Sequence, residues 1–151
     1  MYRTILVPLD GSERAEAILP HVEDLAPRYG AKVIFLQVIE LESSEIMGLG
    51  MATYSTSASQ NLEQRMREAK MYLTTQQRKF QEKGIEVQTY VAHGPVVEVI
   101  INTAERSQAD LIAMASHGRS GLSRVFYGSV AAGVLHRVDR PLLLIRSLDN
   151  V

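Results

Sequence analysis

Four short, almost unbroken apolar runs and one alternating run, each ended by a turn signal and separated by stretches of helical spacing, constrain this chain more than any other feature. The runs lie at residues 4–9, 33–39, 111–115 and 142–145, and the alternating one at 85–91. A continuous apolar run of four to eight residues suits a strand buried on both faces, which is the environment of a parallel sheet. The alternating run, Ile85-Glu86-Val87-Gln88-Thr89-Tyr90-Val91, suits a less buried strand. Between the runs, apolar residues recur every three or four positions: Ala15, Ile18, Leu19, Val22; then Leu62, Met66, Ala69, Leu73, Phe80; then Val96, Val97, Ile100, Ile101, Ala104; then Val130, Val134, Leu135, Val138. Strands alternating with helices predict an α/β fold, an open five-stranded parallel sheet with helices on both faces, in one domain spanning residues 1–151.

Local signals refine this. Ser12 is placed to cap the first helix, Gly30 to end it, and Pro20 inside it predicts a kink. Residues 41–59 hold Ser, Gly, Met and Thr without a sustained period, including Met47-Gly48-Leu49-Gly50-Met51, and read as a binding loop, a lid or a disordered insertion. The charged residues of the long helix that follows read as its solvated face, and Gly84 as its end. Pro95 is placed for the first helical position of the next helix.

At 151 residues the chain can bury enough surface to fold without disulfides or a structural metal, and having no Cys it cannot use a thiolate site or a cysteine nucleophile. A formal charge of −1 argues against a broad electrostatic grip on nucleic acid or anionic lipid. No apolar run approaches the roughly 20 residues of a membrane span, and the first residues lack a signal-peptide pattern. A cytoplasmic protein with no nucleic-acid or membrane partner is expected.

In open parallel sheets ligands sit beyond the carboxyl ends of the strands. That rule selects Pro8, Leu9 and Asp10 after the first strand, Val38 to Glu40 after the second, His93-Gly94 after the third, and residues 114–128 after the fourth. The last segment combines glycines, two arginines (Arg119 and Arg124) and a hydroxyl, Ser129, at a helix start. Glycine lets main-chain N–H groups approach an anion, and a helix amino terminus adds about half a positive charge, so phosphate is its natural occupant. An ordinary strand-to-helix loop capped by Ser129 would carry the same composition. Asp10 likewise reads either as a ligand-binding carboxylate or as the acceptor of an Asp-Gly turn. His117 reads as a loop-fixing hydrogen-bonding group, and His21, His93 and His136 show no metal-ligand spacing. Neither a P-loop, a nucleophile elbow nor a dinucleotide glycine fingerprint is present.

The segment from Ala115 through Gly118 to Gly128-Ser129 resembles the Gly-x2-Gly-x9-Gly-Ser/Thr nucleotide-binding signature of the universal stress protein family, with Ala115 standing where the signature has its first glycine. Ile5-Leu6-Val7-Pro8-Leu9-Asp10-Gly11-Ser12 resembles the family's opening strand, and Arg140-Pro141-Leu142-Leu143-Leu144-Ile145-Arg146 its closing one. The resemblance implies a Rossmann-like domain that binds ATP in many members and not in others. Carried over by position, it implies Asp10, with Pro8 and Leu9, near the ribose and phosphates, and Val38 holding the adenine through its main chain. It places Met114 and Ala115 on the base and ribose side. Gly118, Arg119, Gly128, Ser129 and Val130 would cradle the phosphates, with Mg2+ or Mn2+ as companion ion, and His117 is counted among the nucleotide-binding residues. It further implies a homodimer paired through residues 141–146, an ATP-dependent regulatory switch of the stress response with a protein partner still to be identified, and at most slow ATP hydrolysis. The alternatives are a dimeric interaction module without nucleotide affinity, which Ala115 would favour, and a slow ATP hydrolase.

Overall fold

In the computed structural model the described residues are 1–41, 56–116 and 128–147. They form, in chain order, β1 (Thr4–Pro8), α1 (Glu13–Glu16), α2 (Leu19–Tyr29), β2 (Lys32–Ile39), α3 (Thr56–Gln81), β3 (Val87–His93), α4 (Val96–Arg106), β4 (Leu111–Ala115), α5 (Ser129–Arg137) and β5 (Leu142–Ile145). The five strands make one sheet in the order β3-β2-β1-β4-β5, and every pairing is parallel. The chain runs outward from β1 to β3, then crosses back to β4 on the other side of β1. The strand order therefore reverses between β1 and β4, where the connections diverge and leave a crevice.

Side chains alternate across the strands, and the alternation sorts the core into two layers. Ile5, Val7, Val33, Phe35, Leu111 and Ala113 pack with Val22 and Ala26 of α2 and Leu73 and Phe80 of α3. Leu6, Ile34, Leu36, Ile112 and Met114 pack with Ile100 and Ala104 of α4 and Ala131 and Val134 of α5. Phe35 and Phe80 meet edge to face, with centroids 5.0 Å apart, an arrangement the ring quadrupoles favour. The sheet is thus covered by helices on both faces, as the apolar runs predict.

Some local expectations change. Pro20 does not kink one helix; it separates two. The chain breaks at Ala17 and Ile18, and Pro20 falls in the first turn of α2, where its missing N–H costs no intrahelical bond. Pro95 stands one residue earlier than expected, as the N-cap of α4, because its ψ of 122° is still extended. Strand β3 begins two residues later than the alternation suggests, since Ile85 N–H is engaged with Phe80 O at the end of α3. Residues 56–59, expected in the loop, begin α3, while 42–55 lie outside the described residues. Ser12 does cap α1, its Oγ accepting from Ala15 N at 3.2 Å.

The amino-terminal end of the sheet is tied by hydrogen bonds. The Asp110 carboxylate accepts from the main-chain N–H of Arg3 at 2.9 and 3.1 Å and of Thr4 at 3.2 Å, joining β1 to β4. Arg140 Nη1 donates to the carbonyls of Ala104 and Ala109 at 3.0 and 2.7 Å, closing the turn after α4. Among the described residues no helix is long and apolar enough to cross a membrane.

Candidate functional site

At the opposite end, where β1 and β4 part, lies a cavity of about 480 Å3. Pro8, Leu9 and Asp10 form its floor where β1 gives way to α1; Val38 borders it on β2, and Met114 and Ala115 on β4. Gly128, Ser129 and Val130 line it at the start of α5. These residues, remote in sequence, meet because parallel strands bring all their carboxyl ends to one edge. His117, Gly118, Arg119 and Arg124 lie outside the described residues. His21, His93 and His136 are exposed.

Main-chain geometry adds specific hydrogen-bonding groups. Along β2 even-numbered residues direct their peptide groups to β1 and odd-numbered ones to β3: Leu36 O accepts from Leu9 N at 2.8 Å, whereas Ile39 O accepts from Gly94 N at 3.1 Å. Val38 therefore turns its N–H and C=O toward the side on which β1 has already ended. At α5 the first intrahelical bond runs from Ala132 N to Gly128 O at 2.9 Å, and Gly128 supplies no side-chain cap. The N–H groups of Ser129, Val130 and Ala131 thus lack intrahelical acceptors while their residues line the cavity. Together with the helix dipole they favour an anion there. Gly128 N donates to Ser116 O at 2.7 Å, which holds the start of α5 beside the end of β4.

Asp10 fulfils its structural reading and still faces the cavity. Its Oδ1 accepts from Ser12 N at 2.9 Å and from the Ser12 hydroxyl, a turn made possible by Gly11 at φ 85°. Ala115 sits inside β4 opposite Ile145, and its φ is not positive, so its methyl group brings no backbone strain to the position where the signature has glycine.

The wall formed by α3 is what the sequence reading missed. Arg65, Glu68, Ala69 and Tyr72, at helical spacing, line the cavity, although the charges of this helix read as solvated. Arg65 Nη2 donates to Glu40 O at 2.9 Å. Tyr72 OH donates to Glu16 Oε2 at 2.8 Å, and burial, then that hydrogen bond, then the charges of Glu16 and Asp10 push its phenol pKa up. Gln37 also lines the cavity, and it had a legible signal: a lone amide inside an apolar strand. Facing this polar wall, Val96, Ile100, Met114 and Ala131 supply an apolar one. Among the described residues no cluster of three or more His, Asp or Glu side chains is arranged to hold a metal by itself. A magnesium ion needs only one or two carboxylates when phosphates complete its shell, and Asp10 fits that part.

Comparison with known proteins agrees with this architecture. Universal stress protein MJ0577 of Methanocaldococcus jannaschii is 31% identical over 159 residues, covering 99% of this chain and 98% of that protein. The solved structure of MJ0577 superimposes with a TM-score of 0.86 at 29% identity, covering 99% of both chains. More distant structures share the fold: a universal stress protein in complex with cAMP (TM-score 0.63, 20% identity, 97% and 98% covered) and an Arabidopsis thaliana member, At3g01520, with AMP bound (TM-score 0.67, 16% identity, 97% and 93% covered). The model of the universal stress protein family matches residues 1–146, and the chain belongs to that family.

Proposed function

We propose that this chain binds ATP with Mg2+ or Mn2+ in the cavity and acts as a nucleotide-dependent homodimeric switch of the stress response. The observation that carries the reading is the union, in one cavity of about 480 Å3, of an apolar wall, the outward-turned main chain of Val38 and the uncapped amino terminus of α5. The volume lies within the range of small-molecule sites, and the three features match a base, its hydrogen-bonding edge and its phosphates. The complexes of related proteins with cAMP and AMP support an adenine nucleotide as the ligand class.

In this reading the base lies against Val96, Ile100 and Met114 with its edge toward Val38, while Pro8 and Leu9 support the ribose. Ser129, Val130 and Ala131 donate main-chain N–H bonds to phosphate oxygens. A divalent cation when bound neutralises phosphate charge, and Asp10 is the carboxylate that would hold it. Binding rather than turnover is the activity proposed. The dimer is proposed through β5, whose apolar residues Leu142–Ile145 are only half buried at the sheet edge. The change that nucleotide makes to this dimer would be read by a further protein partner.

Titration calorimetry of the purified protein with ATP, AMP and cAMP, with and without Mg2+, tests the proposal. Saturable binding of ATP that strengthens with Mg2+ is expected, and no heat with any of the three would sink it. Because the chain has no Trp, a co-purifying adenine would also be visible in its ultraviolet spectrum.

A further inference from the structure

One side chain in the cavity is out of keeping with its strand. Between Val33 and Ile39, β2 reads Val-Ile-Phe-Leu-Gln-Val-Ile, and Gln37 is as buried as its neighbours, at 7% exposure. Its Oε1 is the one buried side-chain nitrogen or oxygen among the described residues that has no hydrogen-bond partner. Leaving such an acceptor unpaired costs folding free energy, which an aliphatic residue in the same place would avoid. Alternation along β2 puts Gln37 on the face of Phe35 and Ile39, beneath α3, and beside Val38, whose peptide group turns past the end of β1.

We propose that Gln37 is a specificity-determining residue of this cavity: its carboxamide oxygen accepts a hydrogen bond from the exocyclic amino group of the bound base and so selects a 6-amino purine. The inference rests on the nucleotide reading of the site given above. An exocyclic amino group carries two N–H donors. The Val38 carbonyl can take one, and a second acceptor is needed to leave neither unpaired when the base is enclosed. Gln37 lines the cavity while its Oε1 is buried without a partner, so a turn of the amide about Cγ–Cδ brings that acceptor to the ligand. The neighbouring Tyr72 hydroxyl already donates to Glu16, and Val96, Ile100 and Met114 opposite offer only apolar contact. A base bearing a carbonyl at the same position would set its oxygen against the Val38 carbonyl, which cannot turn. The amide thus reinforces a choice that the main chain begins.

The test compares ATP with purine riboside triphosphate, which lacks only the amino group, by calorimetry on the unsubstituted protein, Gln37→Leu and Gln37→Met. Removing a ligand hydrogen bond to an uncharged acceptor is expected to weaken ATP binding about tenfold in both variants. Purine riboside triphosphate should bind the variants within about twofold of the unsubstituted protein, since its missing group has nothing to lose. Equal losses for the two ligands, or an unchanged affinity for ATP, would overturn the role of Gln37 while leaving the nucleotide site intact. An unsubstituted protein that binds neither ligand would overturn the nucleotide reading, and this inference with it. Without ligand, both variants should melt at or above the temperature of the unsubstituted protein, because each removes the orphaned acceptor. Gln37→Met, which keeps the length of the side chain, carries the comparison if the branched Leu distorts the strand.

Discussion

The two ends of the sheet are built to different standards. At the amino-terminal end polar groups are matched: Asp110 takes the N–H groups that begin β1, and Arg140 takes the carbonyls that end α4 and the following turn. At the carboxyl-terminal end the Val38 peptide group turns past the end of β1, the first turn of α5 lacks a side-chain cap, and Gln37 Oε1 is orphaned, all around one cavity. A group left unmatched beside a cavity costs folding free energy but is available to a ligand. The difference teaches where substitutions should change stability and where they should change binding.

The largest expected effect lies at the tied end. Asp110→Ala removes the acceptor of main-chain N–H groups from two residues and should lower unfolding free energy by about 3 kcal/mol, read from denaturant midpoints, while the folded protein keeps its nucleotide affinity. A large loss of affinity in protein that remains folded would break the division between the ends. Arg140→Ala should cost less, about 2 kcal/mol, because its guanidinium still reaches some solvent and serves two carbonyls.

At the open end the order reverses. Ser129→Pro removes both the hydroxyl and the first N–H of α5, and Gly128, with ψ 157°, already has the extended backbone that a following proline requires. Stability should change by less than about 0.5 kcal/mol, while ATP affinity falls about tenfold by calorimetry. Unchanged affinity would show that the α5 terminus holds no phosphate.

Tyr72→Phe gives the smallest effect and joins the two behaviours, because Tyr72 lines the cavity yet is hydrogen-bonded. It should cost about 1 kcal/mol near neutral pH. The folded protein raises the phenol pKa, so the stability contributed by Tyr72 is complete below the unfolded value of about 10 and is lost as pH rises through the folded one. The gap between the denaturant midpoints of the two proteins should therefore stay constant below about pH 10 and narrow above it, and a gap that widens there would contradict the cause assigned to the shift.

Much of this architecture is legible in the chain. Apolar runs such as 111–115 can satisfy themselves only when covered on both sides, and helical spacing between them leaves a parallel sheet as the consistent solution. The floor of the cavity and its side at the start of α5 follow, because ligands gather beyond strand ends and Gly128-Ser129 marks a helix start. The α3 wall was not legible. Arg65, Glu68 and Tyr72 belong to a helix whose charges suit solvent equally well, and nothing local says which of its faces overlooks the gap. Pro20 shows the same limit at smaller scale: sequence announces a disruption, but whether the helix bends or restarts depends on how Ile18 and Val22 pack.

The sequence by itself determined the alternation of strands and helices, the turn at Asp10-Gly11 and the family, since these rest on local preferences and on patterns carried within short segments. Only the tertiary structure decided that Gln37, Tyr72, Val38 and Ser129 share one cavity, and that Ala115 meets no backbone strain. The physical reason is that a side chain's environment is set by segments far away in the chain. Strand order, and the crossing from β3 back to β4, fix which walls face each other across the gap.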